Sequence, residues 1–148
     1  MTTWDVFRRA ERIELAAAEI YGLLAKQFAS DDTVRILFVR LQQEELQHAS
    51  RVRLLASRYR GDTKILEKVS GAVQIEACQG VVEAALADVR AGRWGDDLAA
   101  IKRRLVVLEG ELRSAHAQAM SEDGHPALRD FFQQLALQDD AHAVLLGP

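Results

Sequence analysis

The stretch Leu41-Gln-Gln-Glu-Glu45-Leu-Gln-His48-Ala-Ser-Arg-Val52 decides how the chain folds. It lies within a run whose apolar residues recur every three or four positions: Val34, Leu37/Phe38 and Leu41, then Val52, Leu55 and Tyr59. That spacing is the period of an amphipathic helix. Where two more apolar residues are due, the chain has Glu45 and His48. Side chains three apart share a helix face, so this helix aims a carboxylate and an imidazole at one point of its buried side.

Three other stretches repeat the anomaly. The first helix, predicted over about residues 3–28, carries Phe7, Ala10, Glu14, Ala17/Ala18, Tyr21, Leu24/Ala25 and Phe28. A later one, starting at a cap formed by Asp96 or Asp97, carries Leu98, Ile101, Leu105, Glu109, Leu112, His116 and Ala119/Met120. The last carries Leu128, Phe131/Phe132, Leu135, Asp139, His142 and Leu145/Leu146. Each stripe thus holds one acid in an apolar place, and Asp139-Asp-Ala-His142 repeats the acid-x-x-His spacing of Glu45-Leu-Gln-His48. A third match, Glu122-Asp-Gly-His125, falls in a turn and is read as accidental.

Thr2 or Thr3 is the expected cap of the first helix and Asp32 of the second. Ala29-Ser-Asp-Asp and Ser121-Glu-Asp-Gly-His-Pro126 are the expected turns, with Pro126 at a first helical position. No strand-like alternation competes anywhere, and 2 prolines among 148 residues leave room for long helices. The chain is therefore all-α and a single domain over residues 1–148, a four-helix bundle of two antiparallel hairpins. Hairpin one spans residues 3–59, the crossover 60–96 and hairpin two 97–146. A helix of about 26 residues is ~39 Å long. The crossover can travel that length, with a weaker helix of its own at about 72–89.

Equal distances from a turn mean equal heights in an antiparallel hairpin. Glu14 and Glu45 lie about 15 residues either side of the first turn, as Glu109 and Asp139 do of the second. Four carboxylates buried at one level cannot all stay ionised without compensation, which two divalent cations supply. Oxygen and imidazole donors suit iron or manganese.

With these residues the chain resembles the ferritin-like superfamily, and within it the rubrerythrin-like and bacterioferritin-like di-iron carboxylate proteins. Those place one acid on the first and third helices and Glu-x-x-His on the second and fourth. Glu14-Leu-Ala-Ala-Ala-Glu-Ile-Tyr21 also looks like the rubrerythrin-like first helix, with a tyrosine seven residues after the ligand. The resemblance covers the two hairpins and not the crossover. It implies a ferritin-like bundle holding two iron ions, with manganese or a mixed pair as variants. Glu45 and Asp139 would bridge the ions, Glu14 and Glu109 would be terminal ligands, and His48 and His142 would complete the shells. Tyr21 and His116 are candidates for supporting the ligands from behind, and His116 for an extra ligand. Three departures stand out. Asp139 replaces the usual Glu, His116 stands where relatives often carry Tyr, and Leu112 stands where rubrerythrins have a further glutamate.

Other residues have plainer readings. Glu111 is the alternative to Glu109 after a slight rotation. Glu11, Glu19, Glu44 and Asp140 are read as solvated or supporting, and Glu76 and Glu83 of the crossover as solvated. Cys78 is a small buried residue, Trp4 and Trp94 pack, and the arginine-rich faces are solvated surface. One cysteine excludes a disulfide framework and an attached rubredoxin. A formal charge of −3 offers no reason to bind nucleic acid or an anionic membrane. No run reaches the roughly 18 apolar residues of a membrane span, and the start lacks a signal-peptide pattern. The expected setting is therefore cytoplasmic.

The resemblance implies an oxidoreductase in which Fe(II) reacts with O2 or H2O2, of ferroxidase or peroxidase type, with a separate electron donor as a further partner. Alternatives are an oligomeric iron-handling protein, or a helical scaffold whose site is vestigial or holds another metal. With Pro148 just past the last helix, a homodimer is expected rather than a cage.

Overall fold

The structure is a computed structural model that describes residues 1–62, 72–119 and 126–147. Among them are five helices and no strand: α1 (Thr3–Gln27), α2 (Asp32–Arg58), α3 (Ala72–Arg90), α4 (Leu98–Ala119) and α5 (Pro126–Leu146). The Thr2 hydroxyl caps α1 by accepting from the Asp5 N–H, and Asp5 reaches back to the Thr2 N–H at 2.8 Å. This reciprocal pair satisfies two amide groups at the helix start.

The cap of α2 is Asp31, not the expected Asp32. Asp31 has an extended backbone (φ −105°, ψ 102°), and its carboxylate accepts from the Val34 N–H at 3.2 Å. Asp32 already belongs to the helix and pairs with Arg35 at 3.1 Å. Asp97 caps α4, accepting from the Ala99 N–H at 3.1 Å. Pro126 opens α5 as expected, whereas Ser121 to His125 of the preceding turn lie outside the described residues. Between α3 and α4, Gly92 and Gly95 take φ of 71° and 70°. Those left-handed values favour glycine, and they end α3 and turn the chain.

Helices α1 and α2 pack as an antiparallel hairpin across their short turn, and α4 packs on α5. Helix α3 lies alongside, against α1 and α4. That neighbour gives α1 a second buried stripe, Val6, Ile13 and Ile20, each no more than 1% exposed. The first-helix stripe read from the sequence does not contain it. Opposite it, α3 buries Ile75, Cys78, Val82 and Leu86. Arg9 donates to Gln79 at 2.8 Å and Arg90 to Glu19 at 2.6 Å, tying the two helices along their polar edges. Helix α1 also approaches α2 closely at Gly22, where an added Cβ would lie 2.4 Å from the Gln42 amide nitrogen.

Aromatic rings close the bundle interior at both ends. Near the first turn Phe38 packs between Tyr21 and Phe28, at centroid distances of 6.3 and 6.0 Å. Towards the other end Phe7 stacks on Phe132 at 5.8 Å. Glu14 of α1 lies between Phe7 and Tyr21 in the chain, so the polar residues occupy the layer between the two aromatic groups. No described helix is long and apolar enough to cross a membrane.

Phe38 is fully buried, so Phe38→Ala is expected to cost ~3–5 kcal/mol of stability. Leu54→Ala, at a side chain 64% exposed, should stay within about 0.5 kcal/mol of the parent. Urea unfolding of the two variants against the parent chain checks both.

Candidate metal centre

Seven ionisable side chains meet in the middle layer: Glu14 from α1, Glu45 and His48 from α2, Glu109 and His116 from α4, Asp139 and His142 from α5. None is more than 3% exposed. All six residues proposed as ligands from the sequence are therefore brought together, with His116 beside them. Glu111 is exposed, and Glu109 is the one buried in the layer.

The donor atoms fall into two groups. Glu45, Glu109, Asp139 and His142 each offer an atom within 4.8 Å of the others, and so do Glu14, Glu45 and His48. Glu45 belongs to both, as a bridging carboxylate must. Asp139 belongs to one only. His116 stands beside it, with Nδ1 2.6 Å from Asp139 Oδ2. An aspartate is one methylene shorter than a glutamate, and one of its oxygens is already engaged by an imidazole. In this geometry the two groups are joined by Glu45 alone, not by Glu45 and Asp139 together.

Contacts inside the cluster are close but poorly aligned. His116 Nε2 lies 2.9 Å from Glu14 Oε1, and His142 Nδ1 lies 2.8 Å from Glu45 Oε1. Yet all four atoms lack a hydrogen-bond partner, as do Glu14 Oε2, Glu109 Oε2 and Asp139 Oδ1. Buried polar atoms without partners are costly and rare in a native interior. Oxygens and ring nitrogens that converge without an aligned hydrogen bond are what a cation satisfies. The donor set of the two groups, four carboxylates and two imidazoles, fits divalent iron or manganese.

Groups behind the ligands fix their orientation. The Tyr21 hydroxyl donates to Glu109 Oε1. His142 Nε2 lies 2.7 Å from Glu44 Oε2, which leaves Nδ1 facing the cluster. Glu44 is in turn held by Arg40 at 3.1 Å. A carboxylate on the far nitrogen sets the tautomer of a ligating histidine. The link between Glu44 and His142 spans 98 residues, and no spacing in the sequence announces it. The other acids read as solvated or supporting pair at the surface: Glu11 with Arg53, Glu19 with Arg90 and Asp140 with Arg113. Glu83 accepts from Gln79 at 2.9 Å and is exposed, away from the centre. His125 lies outside the described residues.

The electrostatics follow from burial. Desolvation and the neighbouring Glu14 charge raise Glu45, and desolvation raises Glu109. Desolvation pushes Asp139 up to about 7 against the pull of His116. Burial works against charge on His48 and His142. Their carboxylate neighbours outweigh it, Glu14 and Glu45 for His48 and Glu109 and Glu45 for His142, and lift them to about 9 and about 11. His116 is raised well above the usual histidine range, chiefly by Asp139 and Glu14 acting against desolvation. Glu14 alone is depressed, because its contacts with Glu45 and His116 overcome desolvation. Desolvation also pushes the Cys78 thiol up to about 12, so it stays protonated and inert.

Comparison with protein-family models, curated proteins and solved structures finds no match to this chain.

Raised values for Asp139, His48 and His142 mean that the metal-free fold is favoured when these groups carry protons. Their stabilisation is complete below the unfolded values of 3.8 and 6.5. It is lost as pH rises through about 7 for Asp139, about 9 for His48 and about 11 for His142. Depressed Glu14 contributes fully above about 4.5 and is flat over this window. Thermal melts of the metal-free protein should therefore show lower stability at pH 9 than at pH 6. Saturating divalent metal, which displaces those protons, should reverse the trend.

Proposed function

We propose that this chain is a ferritin-like di-iron carboxylate protein whose two ions react with O2 or with peroxide. The observation that carries this reading is the pair of buried donor groups sharing Glu45. Two packed hairpins with a helix lying alongside support the ferritin-like arrangement, as do the acid and acid-x-x-His positions on successive helices. Manganese suits the same donors.

When bound, two such ions can each supply one electron to an oxidant. The chain's own residues supply ligation, orientation and dryness. Glu45 would span the two positions. Glu14 and His48 would complete one, and Glu109, Asp139 and His142 the other. Tyr21 holds Glu109, Glu44 holds His142, and Asp139 holds the ring of His116 with Nε2 towards Glu14. The rings of Phe7, Phe132, Tyr21 and Phe38 exclude water from both ends of the layer. A cleft of about 610 Å³ between α2 and α5, with Glu44 and His142 in its lining, offers ions and small oxidants a way in.

One observation favours a second reading, a site for a single ion. A protonated His116 between Glu14 and Asp139 supplies positive charge where one cation would otherwise be needed. Metal analysis after expression in iron-replete medium separates the two. Two irons or manganese per chain, lost in Glu45→Ala, are expected. One per chain supports the single-ion site, and much less than one in both proteins removes the metal reading. Rapid mixing of the ferrous protein with O2 and with H2O2 then identifies the oxidant.

Tyr21→Phe removes the donor to Glu109 and little volume. It should weaken metal binding by about 10–100-fold at the Glu109 position and spare the Glu14 position. A two-site titration monitored by competition with a chelator would resolve this, and equal weakening of both positions would contradict the arrangement.

A further inference from the structure

We propose that the arginine-lined cleft between the start of α1 and the end of α2 is where an acidic electron-carrier protein docks and delivers electrons towards the metal centre. The proposal rests on the di-iron reading above. The cleft holds about 450 Å³, and its lining includes Trp4, Phe7, Arg8, Arg12, Arg53 and Arg60. The one acid among the described lining residues, Glu11, is already engaged by Arg53 at 2.6 Å. Arg60 lies over the Trp4 ring, 6.0 Å from its centroid. Arg8 and Arg12 are exposed and have no acidic partner among the described residues. Among the described lining residues, four arginines against one acid form a concentrated positive patch on a chain whose formal charge is −3.

The composition of the patch indicates its partner. Small-molecule pockets are mostly apolar and enclose their ligand. Here the arginines stand in solvent, with the Arg53 side chain 69% exposed. Exposed like charges of this kind steer an oppositely charged protein into register and raise its rate of encounter.

The floor of the cleft connects to the centre. Phe7, 1% exposed, stacks on Phe132 at 5.8 Å, and Phe132 lies 6.1 Å from the His116 ring. His116 in turn touches Glu14 and Asp139 at 2.9 and 2.6 Å. Unbroken contact therefore runs from the arginine patch to the carboxylates. The opening beside Glu44 would be left to ions and oxidant.

A centre that returns to the ferrous state after each turnover needs such a donor. Oxidation of both ferrous ions leaves two Fe(III). Two carrier molecules, each giving up one electron and each oxidised once, restore them, and no bond forms or breaks in the transfer. The chain cannot hold an iron–sulfur cluster with its one cysteine, because such clusters take several thiolates.

The test uses the iron-loaded protein and a plant-type [2Fe–2S] ferredoxin, an acidic one-electron carrier, as probe. Calorimetric titration with oxidised ferredoxin reads docking. Stopped-flow mixing of reduced ferredoxin with the diferric protein reads transfer. Both should weaken as salt rises, and both should weaken at least about tenfold in the double variant Arg8→Glu/Arg12→Glu. Iron content and reduction by dithionite should stay at the parent level in that variant. The proposal is overturned if the variant binds and accepts electrons like the parent, or if an equally sized basic carrier does as well. It is also overturned if an RNA or DNA oligonucleotide, rather than ferredoxin, binds in an arginine-dependent way. A parent protein that loads no iron would instead sink the di-iron reading, and electron delivery with it.

Discussion

Seven ionisable groups enclosed by hydrocarbon have to balance one another's charge, and most of the architecture serves that requirement. Glu14, Glu45, Glu109 and Asp139 would together bring four negative charges into a region from which water is excluded. Burial alone opposes every one of those charges. Without a metal, the balance is struck by protons: the three histidines hold theirs tightly, and Asp139 and Glu45 tend to keep theirs. Even then, seven nitrogen and oxygen atoms of the cluster have no aligned hydrogen bond. Two divalent cations would release the protons and satisfy those lone pairs at once.

The two halves of the centre are not equivalent, although the two hairpins repeat each other in sequence. Glu109 and His142 are each held from behind, by Tyr21 and Glu44. On the other side Glu14 faces His48 and His116, at 3.5 and 2.9 Å. Asp139 has a shorter side chain than Glu14, Glu45 and Glu109, so its carboxylate reaches less far. His116, on the helix packed against α5, takes up one of its oxygens. The imidazole of His116 thus fills the space beside the shorter acid.

Most of the arrangement was legible because helix geometry is local. A period of 3.6 residues places Glu45 and His48 on one face, and a fixed rise per residue places Glu14 level with Glu45. Neither inference needs knowledge of a distant residue. Helix ends were legible to within a residue or so for the same reason, although of two adjacent aspartates Asp32 was expected as the cap of α2 and Asp31 is the cap. Asp31 takes it because its backbone is the one still extended. Glu44 was opaque. It lies one residue from Glu45 and about 100° around the helix, so pattern alone leaves it solvated or supporting, and its partner His142 comes from another hairpin.

The amphipathic period, the misplaced acids and their spacing from the turns thus belong to the chain taken one helix at a time. They establish an all-helical bundle and a polar layer within it. Contacts between helices belong to the assembled structure. Among them are the second buried stripe of α1, the restriction of Asp139 to one donor group, the hold of Glu44 on His142, and the run of rings from Phe7 through Phe132 to His116. Each depends on how far one helix is rotated against its neighbour. That rotation is set by the shapes of all the side chains between them, and not by the order of residues along either one.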